Sequence, residues 1–282
     1  MRTWQPGRVR SGRWQAVCIR CRNHLETREV RSVWERIVLI SVVGFVAATV
    51  DSIAGGGGLI SLPALLLAGI PPHFALGTNK FAATTASFTS TLAFARSGKV
   101  SWKVVKWQIP CTFVGAALGV LAVLRVDPDV LNRAVPALIL GVGLYTALRK
   151  DAGAENRFRE LQPYQLVWGC LFALALGFYD GFFGPGTGSF LIFAFIAAFG
   201  FDFVTAAANA KALNFTSNVA SLLLFALNGK ISLLYGVPMA LSMILGARLG
   251  TRLAITKGAA LIRPVFLTMT FLVAAKLLLQ GN

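Results

Sequence analysis

From residue 37 onward, apolar stretches follow one another almost without a break, at 37–54, 58–69, 79–96, 103–124, 131–148, 164–183, 187–200, 205–227, 231–253 and 260–279. A helix needs about 20 apolar residues to cross the hydrocarbon core. The second and seventh runs are shorter than that, and each follows a glycine cluster. Each is read as the second arm of a glycine-broken or re-entrant element, which membrane depth tolerates only where protein or a cavity surrounds it. The pattern predicts an all-α integral membrane protein with 8–10 transmembrane helices.

Two stretches break the pattern. Residues 1–36 hold nine arginines and three glutamates. They read as a basic, mobile or surface-lying extension, with 27–36 able to form an amphipathic helix. The only long polar stretch inside the apolar series is 149–163, which reads as a connecting loop between a first transmembrane segment, 37–148, and a second, 164–282.

Composition sharpens this picture. The chain is 56% hydrophobic and only 13% charged, against about 25% charged in soluble domains. Soluble enzymes, disulfide scaffolds and disordered chains are excluded. The net charge of +16 would suggest nucleic acid in a soluble protein. Here it points to loops beside anionic lipid, with no nucleic-acid partner expected. Basic residues cluster at 96–106, 149–159 and 248–263, and the positive-inside rule does not choose between ten crossings and eight. Cys18-x2-Cys21-x2-His24 offers three metal-ligand types without a clear fourth and reads as an incidental match. No metal, cofactor or catalytic residue is expected.

The two segments also repeat each other. Asp51 and Gly55 match Asp180 and Gly184 at an offset of 129. At an offset of 131, Lys80 matches Lys211, Ser90 matches Ser221, Gly98-Lys99-Val100-Ser101 matches Gly229-Lys230-Ile231-Ser232, and Gly115 and Gly119 match Gly246 and Gly250. Two homologous membrane halves are the usual build of a secondary transporter, with the substrate site between them.

Three constellations carry the candidate chemistry. The first is the pair of glycine runs, Gly55, Gly56, Gly57 and Gly58, and Gly184, Gly186, Thr187 and Gly188. Such runs mark unwound backbone, and a helix that starts after one presents its positive end to an anion. Close helix packing is the competing explanation. The second is the intramembrane charge set. Lys80 and Lys211 are candidates to hold an oxyanion, and Asp51 and Asp180 are candidates for ion coupling; the competing reading is an Asp–Lys pair that locks helices within each half. The third is a polar face on the third and eighth runs, where Thr78, Asn79, Ser87, Asn214 and Asn218 would line a path or bond neighbouring helices.

The run Asp51-x3-Gly-Gly-Gly-Gly-Leu-Ile-x2-Pro63, with Gly69-Ile-Pro-Pro, Gly77-Thr78-Asn79 and Gly98-Lys-Val, resembles the sulfite exporter TauE/SafE family. Gly184-Pro185-Gly186-Thr187-Gly188 and Ala210-Lys211-x2-Asn214 resemble its second repeat. The resemblance covers about 37–279 and implies a duplicated, multi-pass permease of the bacterial inner membrane that carries sulfite, organosulfonates or related small anions. Residues 1–36 depart from the family pattern. The expected partners are a small anion and membrane lipid, with homo-oligomerisation left open. The alternatives are a non-transporting membrane scaffold or assembly protein, and a permease for a different small metabolite.

Overall fold

The computed structural model describes residues 11–131, 156–158 and 160–257, with side chains from Val33 onward. The runs predicted at 131–148 and 260–279, and the Cys18, Cys21 and His24 side chains, lie outside the described residues. The described residues are helical, without strands: α1 (Ser11–Ala54), α2 (Gly58–Leu67), α3 (Pro72–Arg96), α4 (Trp102–Val123), α5 (Pro163–Phe182), α6 (Thr187–Phe199), α7 (Phe203–Leu227) and α8 (Leu233–Lys257). Five helices are long and apolar enough to cross a membrane: the Val33–Ala54 part of α1, α4, α5, α7 and α8. The chain forms two compact units, Met1–Leu39 and Ile40–Asn282, and everything below concerns the second.

Local signals set the helix starts. Pro72 opens α3, where its missing N–H costs nothing. The helix therefore begins seven residues before the apolar run does, and Lys80 lies in its third turn rather than at its start. Asp202 caps α7 by accepting from Val204 N at 2.9 Å and Thr205 N at 3.0 Å, and Gln162 and Gln165 form a reciprocal capping box on α5.

The burial pattern is inverted relative to a soluble protein. Lys80, Lys211, Asp180 and Asn209 are buried, while Phe88, Trp107, Leu118, Trp168, Leu223 and Leu241 are exposed. An apolar outer surface of this extent fits hydrocarbon rather than water. Trp102, Trp107, Tyr164 and Trp168 lie exposed in the first turns of α4 and α5, where amphipathic rings suit a membrane interface.

Glycine lets helix backbones touch. A Cβ on Gly115 or Gly119 of α4 would overlap Leu174 O or Phe178 O of α5, and one on Gly177 or Gly181 of α5 would overlap Thr112 O or Ala116 O of α4. One on Gly246 or Gly250 of α8 would overlap Phe45 O or Thr49 O of α1. Residue numbers rise together along both interfaces, so α4 runs parallel to α5, and α1 to α8. By contrast, α3 and α7 run antiparallel: Thr91 Oγ1 donates to Lys211 O at 3.0 Å, and the Ser101 N–H just beyond α3 donates to Asn209 Oδ1 at 2.7 Å. At the opposite end, Ser232 N donates to Thr78 Oγ1 at 2.9 Å.

Two apolar clusters divide the interior. One gathers α2, parts of α1, α3 and α8, and the end of α4 around Leu62, Leu65 and Met239. The other gathers α6, the first half of α7 and parts of α4 around Phe195, Phe199 and Leu213.

Candidate functional site

The two glycine runs meet. Gly55 and Gly56 between α1 and α2 have φ of 68° and 117°, and Gly184 and Gly186 between α5 and α6 have φ of 94° and 85°. Other residues rarely adopt these angles. A Cβ on Gly55 would overlap the Gly188 and Ser189 backbone, and one on Gly58 would come within 3.0 Å of Pro185 Cα. Ser189 Oγ donates to Gly55 O at 2.7 Å and is also 3.1 Å from Ala54 O, satisfying carbonyls that the end of α1 leaves open. Tyr179 Oη donates to Pro185 O, and Thr187 Oγ1 to Gly184 O, both at 2.7 Å.

Beside this crossing lies a cavity of about 40 Å³, room for roughly three water-sized bodies. Gly56, Gly57, Gly58, Gly184, Gly186 and Gly188 line it from the breaks. Asp51, Asn79, Lys80, Asp180, Asn214 and Asn218 supply its polar wall, with Ser61 of α2 and the apolar Ala47, Ala83 and Met243. Both short helices, α2 and α6, begin at the cavity; in α2 the Leu59, Ile60 and Ser61 N–H groups already bond the Gly56 and Gly57 carbonyls, so that helix start meets the cavity through its dipole.

The four intramembrane charges form two ion pairs, and each pair joins the first half of the chain to the second. Lys80 Nζ is 2.8 Å from Asp180 Oδ2, and Lys211 Nζ is bonded to Asp51 Oδ2. Pairs within each half, the competing sequence reading, do not form. Lys80 Nζ also donates to Asn218 Oδ1 at 3.2 Å. Asn218 Nδ2 in turn reaches Asn214 Oδ1 at 3.3 Å and Ser87 Oγ at 3.4 Å. Ser217 Oγ, at 2.5 Å, is a second donor to Asp180 Oδ2. On the other pair, Gly56 N and Gly57 N each donate to Asp51 Oδ1 at 3.0 Å. Those two N–H groups, expected to face a ligand, thus hold a carboxylate of the protein.

Five of the predicted site residues do not line the cavity. Lys211 is buried behind Asp51, and Gly55 is pressed against Gly188. Thr78 receives the Ser232 N–H, Ser87 sits behind Asn218, and Thr187 bonds back to Gly184. The polar face of α3 is also largely turned on itself: Thr84, Thr85, Ser87 and Thr89 donate to carbonyls three or four residues back, a common fate of helical hydroxyls. Sequence reasoning missed Ser61, whose Oγ donates to Asn79 Oδ1 at 2.6 Å. Ser61 stands three residues past the glycine run, on the helix that faces Asn79, and that position was its one signal.

The model of the sulfite exporter TauE/SafE family matches residues 40–277. A probable membrane transporter protein of Haemophilus influenzae is 44% identical over 241 residues, covering 86% of this chain and 94% of that protein. The probable membrane transporter protein YfcA of Escherichia coli K12 is 44% identical over 248 residues, covering 87% and 91%. A more distant relative, the probable membrane transporter protein YunE of Bacillus subtilis, is 24% identical over 271 residues. No solved structure matches.

Proposed function

This chain belongs to the sulfite exporter TauE/SafE family, and from that premise we propose that it is a secondary transporter of small anions, with sulfite and compact organosulfonates as its substrate class. One observation carries the reading. A small cavity at the crossing of two unwound glycine segments holds an ammonium, Lys80, beside the amides of Asn79, Asn214 and Asn218 and the starts of two helices. Ammonium, amide N–H and helix N-termini are the donor types that an oxyanion needs. The small volume favours a compact oxyanion over an extended organic chain. The protein acts as a carrier, not an enzyme, in the bacterial inner membrane, driven by an ion gradient or by the substrate's own gradient.

The contacts support a build from two homologous halves. Asp51–Lys211 becomes Asp180–Lys80 when the offsets of 129 and 131 are applied. In the same way, Gly246 on Phe45 corresponds to Gly115 on Leu174, and Ser232 on Thr78 to Ser101 on Asn209. Gln165 Nε2 at the start of α5 donates to Ala198 O near the end of α6 at 3.0 Å, which supports reading α5–α6, and its mate α1–α2, as re-entrant hairpins.

The same contacts bear on how access alternates. The glycine interfaces join α4 to α5 and α1 to α8, each across the two sequence halves. The rocking bodies are therefore α1–α2–α8 and α4–α5–α6, each mixing both halves, with the cavity between them. Helix directions put the end of α3, the starts of α4 and α5 and the end of α8 on one face, with Arg96, Lys99, Lys103, Lys106, Arg157, Arg252 and Lys257. The positive-inside rule assigns that face to the cytoplasm.

Flux of labelled sulfite into proteoliposomes tests the proposal. Saturable flux that Lys80→Ala removes supports it. Folded protein that moves neither sulfite nor any small organosulfonate overturns it.

A further inference from the structure

The charges lining and backing the cavity cancel: Asp51 and Asp180 against Lys80 and Lys211. An anion entering this site would leave one uncompensated negative charge inside the membrane, and such charges are costly there unless paired. Something must balance it, and the two ion pairs are not equally able to do so.

Asp51 is fully engaged. Its Oδ1 accepts from Gly56 N and Gly57 N and its Oδ2 from Lys211. Lys211 is buried and does not line the cavity. One of the two corresponding backbone donors is missing around Asp180, because Pro185 stands where the first half has Gly56 and proline has no N–H; Gly186, the mate of Gly57, does not bond Asp180. Both donors to Asp180, Lys80 and Ser217, converge on Oδ2, which leaves Oδ1 without a donor among the described residues. Asp180 and Lys80 both line the cavity. Lys80 has three N–H donors; one goes to Asp180 and one to Asn218, leaving the third for a ligand.

Among the described residues, no other titratable group competes for Asp180. Lys80 faces it from α3, and α7 contributes Ser217, with Lys211 held by Asp51 of α1. On its own helix, Tyr179 is bound to Pro185 O. Neighbouring α4 packs Ala116 against Gly181, its lysines 103 and 106 being in its first two turns, and α6 carries no titratable side chain.

We propose that Asp180 is the proton-binding site of the transporter and Lys80 its anion-binding site, while Asp51–Lys211 is a fixed latch. A proton from solvent forms an O–H bond at Asp180 Oδ1. The carboxyl becomes neutral, the ammonium of Lys80 keeps its charge, and the incoming anion takes the place of the carboxylate as its counter-ion. The site holds the same net charge before and after, and one proton crosses with each negative charge. On the far side anion and proton leave together, and the Lys80–Asp180 pair re-forms.

This inference rests on the anion-transport reading, and the test separates the two. Wild-type protein in liposomes, with the membrane potential clamped by valinomycin and potassium, is given sulfite, methanesulfonate or isethionate, with an internal pH dye. The sulfonates are anions of strong acids and bring no proton of their own, so they are the decisive probes; sulfite is read against protein-free liposomes. The expected result is internal acidification that tracks anion entry one proton per charge. An inward-acid gradient drives accumulation. Asp180→Asn loses the response of anion uptake to the pH gradient. Lys80→Gln loses anion uptake itself. Asp51→Asn, where it folds, still responds to the gradient. Anion flux without co-entry of protons in the wild type overturns the inference and leaves the transport reading standing, as does pH-driven accumulation that survives Asp180→Asn. No flux of any of the three anions overturns both. The wild-type dye measurement decides the matter even if Asp180→Asn fails to fold.

Discussion

The Lys211 ammonium is bonded to the carboxylate of Asp51, a residue 160 positions earlier in the chain. This bond ties the end of α1 to the middle of α7 beside the glycine crossing. Removing one partner of a buried pair strands the other charge and costs about 3–5 kcal/mol, whereas removing both can be nearly neutral. Lys211→Met should therefore destabilise the detergent-solubilised protein strongly, and adding Asp51→Asn, which keeps an acceptor for Gly56 N and Gly57 N, should recover part of the loss. Thermal unfolding of the wild type and the two variants checks this. Equal instability of single and double variants would argue against a latch.

The glycine interfaces predict a graded series. Overpacking a filled interface costs about 1–3 kcal/mol. Gly181→Ala and Gly246→Ala place a methyl group on a facing carbonyl oxygen and should lower the midpoint of thermal unfolding. Gly177→Leu should yield no folded protein. Gly98→Ala meets nothing within 4 Å, although its φ of 70° leaves a cost of about 1–2 kcal/mol from the left-handed backbone. A ranking with Gly98→Ala worse than Gly181→Ala would contradict the backbone contact between α4 and α5.

Much of this architecture is written in local pattern. The membrane character, the helices and the glycine breaks follow from apolar run length and from residues such as Gly56, whose φ of 117° no other residue takes readily. What local pattern does not hold is the choice of partner. Asp51 and Lys80 lie in one half at a spacing that invites a pair, yet each bonds a residue of the other half. That choice depends on which helices run parallel, a property of the whole packing. The role of Ser61 is hidden for the same reason. Its neighbour Asn79 arrives from α3, and a serine in an apolar helix looks ordinary until that helix is placed.

Helix directions make a topological prediction. The Ser97–Ser101 loop and the Asn228–Ser232 loop lie on opposite faces, because α3 and α7 are antiparallel. A single cysteine at Lys99 should be labelled by a membrane-impermeant maleimide only after cells are opened. One at Lys230 should be labelled in cells whose outer membrane alone has been permeabilised. All four native cysteines, Cys18, Cys21, Cys111 and Cys170, are first replaced by serine. Labelling of both loops from the same side would overturn the antiparallel arrangement.

The amide of Asn218 offers the sharpest handle on the site. Its Oδ1 accepts from Lys80 at 3.2 Å, so the uncharged amide helps aim the ammonium without neutralising it. Asn218→Asp is nearly isosteric and keeps that bond, but it adds a second carboxylate to a lysine already paired with Asp180. The added charge competes with any anion for the same ammonium. The variant should fold, and its sulfite flux should fall at least about tenfold at neutral pH, which corresponds to roughly 1.4 kcal/mol. Asn218→Ser, which copies the residue at the matching position 87, should lose much less. If Asn218→Asp transports like the wild type at neutral pH, Lys80 is not where the anion binds.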